Sequence, residues 1–376
     1  MRNILFLLTV ILLLSCSNEE DKYSCESTIH IPKQMNNIGD FDNYFKYYEF
    51  VKLETKPNCL IYNIDKLYIL KNNIYILDEK QNSILTFNNE GKFKYKIDKV
   101  GKGPSEYSNI SDFIVDENLN RILVYSDYSM KVIEYDLNGK FISDFNVKDY
   151  YKSIYFYDNK LIFFDVSPLH DKYFFEYNYT SNKLVTEHVS VSSLTKKYNS
   201  QATIYPMSNT SINNYFYAPL DYRIFQIDDG TIKVKYCLNF ENEIPSDFLS
   251  QEIQNKELYN TLKEKEYAFY ISNFRETKDY IIFKYEPNKL VIYYKPLGIA
   301  NVFSAIKNNS TGFYFSNYFA HNGNDNSIVE IVNPTDLKFM VNRFGDFSDI
   351  KDKTFFELDN ELKNTDNPII IKYYFK

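Results

Sequence analysis

Residues 73–93 read NIYILDEKQNSILTFNNEGKF, and residues 121–141 read RILVYSDYSMKVIEYDLNGKF. The two stretches are copies of one repeat, because their turn glycines, Gly91 and Gly139, are 48 residues apart. Each copy contains two runs rich in β-branched and aromatic residues and ends in a Gly-containing turn, which is the pattern of strands joined by tight turns. A period of about 40–50 residues is typical of one four-stranded propeller blade. The repeat therefore predicts an all-β propeller.

The rest of the chain divides into similar units, which predicts six blades. Five units are expected at residues 60–97, 110–146, 151–191, 203–240 and 267–305, and residues 306–376 with 44–55 are expected to form the last. Strands near both termini are predicted to lie side by side there, because a blade shared between the termini closes the ring. We assign residues 41–376 to the propeller. Two helical insertions, at about 245–266 and 334–363, are predicted to cap one mouth of its channel, with packing on its rim as the alternative.

The first residues predict export and a lipid anchor. Arg2 is followed by an apolar run at 4–14, which is too short to span a bilayer, since that requires about 20 residues. The run ends in Leu13-Leu14-Ser15-Cys16, which resembles a bacterial lipobox with Cys16 as the lipidated residue. We therefore assign residues 1–15 to a signal peptide and 16–40 to a flexible, lipidated tether.

The charge and the cysteines exclude one class of partner and leave the disulfide pairing open. A net charge of −7 argues against a nucleic-acid partner, because phosphates require a basic surface. Of the four cysteines, Cys25, Cys59 and Cys237 remain if Cys16 carries lipid. A Cys25–Cys59 bridge is one alternative, and buried thiols at Cys59 and Cys237 are the other.

Acidic residues recur at the ends of strands and form the first candidate site. Asp78 and Asp127 end the second strands of successive blades, and Asp165 is expected to do so in the third. If these carboxylates converge at the channel mouth they could bind Ca²⁺; alternatively, each caps the turn that it begins. His321, in a polar loop, is a further candidate ligand or base. HExxH and Gly-x-Ser-x-Gly motifs are absent, so the catalytic residues and any metal ligands stay unassigned.

These motifs together resemble those of the six-bladed β-propeller lipoproteins of Bacteroidetes, a family similar to the NHL-repeat propellers. The resemblance rests on the lipobox, on the blade text at 73–93, on the closing strand at 366–371 and on the loop at 100–107, VGKGPSEY. The family usually has Gly where this loop has Ser105, which suggests a turn without positive φ here. Glu106 and Tyr107 of the loop are expected near the channel mouth, within reach of a ligand.

The resemblance implies an outer-membrane lipoprotein. The acidic run at 17–21 looks like a surface-export signal, so we expect the propeller to face outward, with a periplasm-facing position as the alternative. The expected function is a binding or interaction module with a glycan or peptide ligand. It could be accessory to a nutrient-uptake complex that contains a TonB-dependent transporter. The alternative is a metal-assisted hydrolase or lyase with its site at the channel mouth.

Overall fold

The computed structural model describes residues 24–157, 159–167, 169–181, 183–198, 211–212, 215–253, 257–316, 326–344 and 350–376. The strands form seven sheets of three to five strands each, which are the seven blades of a propeller. The predicted fold class is therefore confirmed, whereas the predicted number of six blades is wrong.

The N-terminal segment contributes strands to three different blades. These strands are β1 (Ser27–Ile31), β2 (Ile38–Asp40) and β3 (Phe45–Lys52), and the short helix α1 (Phe41–Tyr44) precedes β3. The sequence analysis placed the start of the propeller at residue 41. Blade strands thus already occur within the segment that was assigned to the tether.

Blades 1 to 3 follow one another along the chain, and each is a four-stranded antiparallel meander. Blade 1 comprises β4 (Lys66–Ile69), β5 (Asn73–Asp78), β6 (Ser83–Asn88) and β7 (Phe93–Ile97). Blade 2 comprises β8 (Asp112–Asp116), β9 (Arg121–Ser126), β10 (Lys131–Asp136) and β11 (Phe141–Asn146). Blade 3 comprises β12 (Ser153–Tyr157), β13 (Lys160–Phe164), β14 (Lys172–Asn178) and β15 (Lys183–Ser190).

Blades 4 and 5 are separated by the first helical insertion. Helix α2 (Ser193–Tyr198) leads to blade 4, which comprises β16 (Ser211–Ile212), β17 (Tyr215–Tyr217), β18 (Arg223–Asp228) and β19 (Thr231–Phe240), with β1 added in parallel to β19. A 3₁₀ helix (Ser246–Ser250) and α3 (Leu258–Glu264) follow. Blade 5 comprises β20 (Phe269–Glu276), β21 (Tyr280–Glu286), β22 (Lys289–Tyr294) and β23 (Ile299–Phe303).

The region that was predicted to be one closing blade contributes to two sheets. Blade 6 contains β24 (Ala305–Lys307), β25 (Tyr314–Phe315) and β2, and blade 7 contains β26 (Ser327–Val332), β27 (Ile369–Phe375) and β3. The region divides because β2 pairs with β24 whereas β3 pairs with β27. The expected side-by-side arrangement of the terminal strands is confirmed, since β3 and β27 are antiparallel neighbours.

The second helical insertion joins β26 to β27 and contains α4 (Pro334–Phe344) and α5 (Thr354–Glu361). Leu337 and Phe355 of this insertion are buried in the same hydrophobic cluster as blades 5 to 7. The first insertion instead buries Phe248, Leu258 and Leu262 in a separate cluster with the first residues of β20. The described helices of the two insertions therefore have separate apolar cores, and the cap over one channel mouth stays a prediction.

Apolar side chains between neighbouring blades form the core and close the ring. Separate buried clusters join blades 1 and 2, blades 2 and 3, blades 3 and 4, and blades 4 and 5. One larger cluster spans blades 5 to 7, and another joins blade 7 to blade 1. Aromatic and β-branched residues dominate these interfaces because their side chains pack well on pleated surfaces.

In each turn of the repeat, one polar side chain and one glycine determine the backbone conformation. The side-chain oxygen of Asn88 accepts hydrogen bonds from the N–H groups of Glu90 and Lys92. Gly91 then adopts a φ of +81°, and a Cβ atom there would lie 2.0 Å from the carbonyl oxygen of Lys52 in blade 7. In the second copy, Asp136 and Gly139 hold the corresponding positions, and Gly139 has a φ of +77°. The glycine is therefore required by the backbone.

A disulfide bond attaches the N-terminal segment to blade 4. Cys25 is bonded to Cys237, with 5.8 Å between their Cα atoms, whereas Cys59 is a buried free thiol. Cys25 lies near Cys237 because β1 runs parallel to β19, with Thr28 opposite Cys237. The Cys25–Cys237 bond replaces the Cys25–Cys59 bridge that was one alternative and the buried thiol at Cys237 that was part of the other. The buried thiol expected at Cys59 is confirmed.

Candidate functional site

The structure places Asp78 in a structural role. Its side chain is fully buried and accepts hydrogen bonds from the N–H groups of Tyr62 and Asn63 in the loop that enters blade 1. It also accepts bonds from the backbone N–H and the side-chain amide of Gln81. Both carboxylate oxygens are thus occupied, and Asp78 ties the β5–β6 turn to the entering loop.

Asp127 performs the equivalent task in blade 2. Its carboxylate accepts a hydrogen bond from the Asn109 side-chain amide at 2.6 Å, and its own N–H donates to the Ser111 hydroxyl. Asn109 and Ser111 belong to the loop that enters β8. The turns at 79–82 and 127–130 therefore lie beside the loops that enter the same blades. We call this side of the molecule, which also includes the corresponding turn at 165–171, the turn face.

Asp165 begins the third of these turns and differs from the other two. It is 1% exposed, its Oδ2 atom accepts a hydrogen bond from the Ser167 hydroxyl, and its Oδ1 atom has no hydrogen-bond partner among the described residues. His170 Nε2 lies 3.7 Å from Oδ2 and 3.1 Å from the carbonyl oxygen of Tyr150. Burial raises the pKa of Asp165, while Ser167 and His170 oppose that rise.

The loop residues Glu106 and Tyr107 support the backbone. Glu106 Oε2 accepts a hydrogen bond from the Gly103 N–H at 2.8 Å and lies where any side chain at Gly101 would project. Tyr107 is fully buried, and its hydroxyl contacts the carbonyl oxygens of Asn82 and Ile97. This corrects the expectation that Tyr107 lies within reach of a ligand. The residue at the family's usual glycine position, Ser105, is not among the residues with positive φ, as expected.

Sequence reasoning missed Glu79, which is the most perturbed carboxylate of the turn face. Its side chain remains accessible to solvent, but the desolvation caused by surrounding protein raises its pKa to about 7. The negative charge of Asp65 adds to this rise, and the positive charge of Lys152 opposes it. Glu79 directly follows Asp78, yet its neighbours come from three separate loops. No local sequence signal could therefore have indicated the perturbation.

A buried ion pair lies beside this cluster. Lys66 Nζ is 2.6 Å from Asp112 Oδ1, and both side chains are at most 5% exposed. Asp112 also accepts hydrogen bonds from the N–H groups of Phe113 and Ile154. Because Lys66, Asp112 and Ile154 belong to the first strands of blades 1, 2 and 3, the pair fixes the relative position of these blades.

Two exposed tyrosines lie next to acidic positions of the turn face. Tyr62, in the loop that enters blade 1, is 67% exposed, and Tyr128, next to Asp127, is 75% exposed. The Lys80 ammonium group lies 5.2 Å from the centre of the Tyr62 ring. Large aromatic side chains exposed beside carboxylates are suited to bind cationic or carbohydrate groups.

Several predicted residues lie outside the described part of the chain. These are His321 and the lipobox residues Leu13, Leu14, Ser15 and Cys16. Among the described residues, no three or more His, Cys, Asp or Glu side chains are grouped closely enough to bind a metal ion. Within the same residues, no helix has the length and apolar character needed to cross a bilayer.

A family model described as "Domain of unknown function (DUF4934)" matches residues 26–374. The comparison with curated proteins gave no match.

One solved structure from Bacteroides shares the fold. A crystal structure of a Bacteroides fragilis protein described as exported superposes with a TM-score of 0.73 at 20% identity, covering 93% of this chain and 99% of that one. A member of the DUF4221 family from Bacteroides vulgatus aligns with a TM-score of 0.46 at 9% identity, covering 88% of this chain and 97% of that one. At such low identities the similarity concerns the fold alone.

Proposed function

We propose that this chain, which belongs to the family described as domain of unknown function DUF4934, is an exported, lipid-anchored propeller that binds a partner protein through its turn face. The observation that carries the proposal is the exposure of Tyr62 and Tyr128 on the turn face, which also contains the Glu79 carboxylate with its raised pKa. Aromatic faces and carboxylates together favour Lys or Arg side chains of a partner. A glycan ligand is the alternative occupant of the same face.

The proposed location is the outer membrane, with the lipid on Cys16 and the propeller facing outward. Support comes from the lipobox at 13–16 and from the Bacteroides structural relative described as exported. A TonB-dependent transporter is the proposed partner, on the strength of the family resemblance and the anchor. The proposed function is therefore that of an accessory lipoprotein in nutrient uptake.

Hydrolysis or lyase chemistry has less support than binding. The Asp78 carboxylate is occupied by four hydrogen bonds from backbone and amide groups, and Asp127 accepts from the Asn109 amide. The Asp78 carboxylate is therefore poorly placed to activate water or to coordinate a cation, since its lone pairs are already used.

The test is isolation of the full-length protein from its native membrane in mild detergent, with mass spectrometry of the proteins that accompany it. We expect the wild type to retain a stoichiometric partner and the double variant Tyr62→Ser/Tyr128→Ser to lose it. Cys16→Ser should leave the membrane fraction. Leu297→Ser is the matched control, because Leu297 is 69% exposed in the β22–β23 turn of blade 5. A wild-type propeller that is recovered alone would contradict the accessory function.

Partner capture should also depend on pH through Glu79. Because its pKa is raised to about 7, Glu79 is mostly protonated at pH 6 and mostly ionised at pH 8. Binding of a cationic group should therefore strengthen by about three- to tenfold between these values. Quantitative capture at the two pH values measures this change. Glu79→Gln should remove the pH dependence, and an unchanged profile in that variant would exclude Glu79 from the interface.

A further inference from the structure

A groove of about 710 Å³ runs along β3, the last strand of blade 7. Six consecutive residues of this strand, Lys46 to Val51, line it. Successive residues of a strand point to opposite faces of the sheet, so a cavity on one face would be lined only by alternate residues. A groove lined by all six therefore follows the open edge of the strand.

The backbone along this edge is available to a ligand. β3 pairs with β27 on one side, and no other strand among the described residues pairs with it on the other. The groove ends near Lys52, where the β6–β7 turn of blade 1 covers the chain and the Glu54 N–H donates to the Gly91 carbonyl at 2.8 Å. Unpaired N–H and C=O groups of an edge strand are a template for another extended chain.

The residues that form the walls of the groove are held by hydrogen bonds and carry a net negative charge. On one side lie Asn308 and Ser310 of the β24–β25 turn, and the Ser310 carbonyl accepts hydrogen bonds from the N–H groups of Lys351 and Asp352. The Asp352 carboxylate is held 2.6 Å from the Tyr48 hydroxyl. Three acidic side chains and one lysine line the groove, namely Asp42, Glu49, Asp352 and Lys46. Tyr47 and Phe50 add apolar surface and are 49% and 37% exposed.

We propose that this groove binds an extended peptide segment of a partner that carries Lys or Arg side chains and pairs with β3 as an added strand. Backbone hydrogen bonds to residues 46–51 provide the attachment, and alternate side chains of the peptide select for charge and shape. Asp42 and Glu49 attract the basic side chains, and Tyr47 and Phe50 contact the apolar ones. The site lies at the edge of blade 7 and is independent of the turn face of blades 1 to 3.

The experiment selects phage-displayed random twelve-residue peptides on the full-length chain and measures the affinity of the selected peptides. We expect enrichment of basic and β-branched residues, and added protection from hydrogen exchange at those amides of residues 46–51 that face the open edge and not β27. Asp42→Lys/Glu49→Lys should weaken binding about tenfold. Glu117→Lys/Glu187→Lys makes the same charge change at exposed positions elsewhere and should leave the affinity unchanged.

A second readout separates strand pairing from simple charge attraction. N-methylation of alternate peptide residues removes backbone donors, so one of the two alternating patterns should abolish binding. The proposal is overturned if both methylated peptides bind normally, or if selection enriches no peptide. It is also overturned if binding survives the Asp42/Glu49 variant but is lost in Tyr62→Ser/Tyr128→Ser. That last outcome would support the turn face alone, so failures of the two proposals are distinguishable.

Discussion

Replacing Cys237 by serine is expected to lower the free energy of unfolding by about 3–5 kcal/mol. The disulfide joins residues that are 212 positions apart, so its loss releases a very long loop in the unfolded chain and increases the entropy of that state. Equilibrium unfolding in urea under non-reducing conditions measures the change.

A reductant provides the control for this prediction. Dithiothreitol should destabilise the wild type by a similar amount and should leave Cys237→Ser unchanged, because that variant lacks the Cys25–Cys237 bond, the one disulfide among the described residues. Equal sensitivity of both proteins to reductant would show that the bond contributes nothing to stability. The parallel pairing of β1 with β19 would then account for the attachment of β1.

Lys66→Met is expected to destabilise the propeller by about 3–5 kcal/mol. The substitution leaves the Asp112 carboxylate buried without its cation, 4% exposed and between blades 1 and 2. The hydrogen bonds from Phe113 and Ile154 N–H groups compensate for only part of that charge. Thermal or urea unfolding of the purified variant measures the loss.

The double variant Lys66→Met/Asp112→Asn tests the physical reason for that loss. Asn is neutral and can accept one of the two backbone hydrogen bonds, which reach different oxygens of Asp112, so the double variant should recover part of the lost stability. If it is as unstable as the sum of the two single variants, the ion pair is not the source of the effect. Lys160→Met serves as a control, because the Lys160 side chain is 40% exposed in its pair with Glu176.

The blade architecture could be predicted from the sequence because its determinants are local. Asn88 and Gly91 define a turn within four residues, and Asp136 and Gly139 repeat it. The number of blades depends instead on pairings over long distances, such as Thr28 with Cys237 and Ile38 with Ala305. Strands of three to five residues, such as β1, β2 and β24, carry too little periodicity to reveal such partners.

The residues of the candidate site could likewise be predicted from the sequence only in part. Strand ends identified Asp78, Asp127 and Asp165 as recurring positions on one face, and the structure shows that Asp78 and Asp127 stabilise loops. Glu79 could not be recognised, because its raised pKa comes from desolvation by the surrounding protein and from Asp65 in another loop, while Lys152 opposes the rise. The groove along β3 was equally hidden, since its walls come from blade 1, the β24–β25 turn and the segment before α5.

The three strands of the N-terminal segment also set an order for biosynthesis. β1, β2 and β3 emerge first but pair with β19, β24 and β27, which are synthesised much later. During synthesis these early residues must therefore remain unpaired, while blades 1 to 3 can already fold from contiguous residues. Strands that remain unpaired are vulnerable to aggregation and proteolysis. The propeller consequently becomes a closed ring only after β27 has been synthesised and has paired with β3.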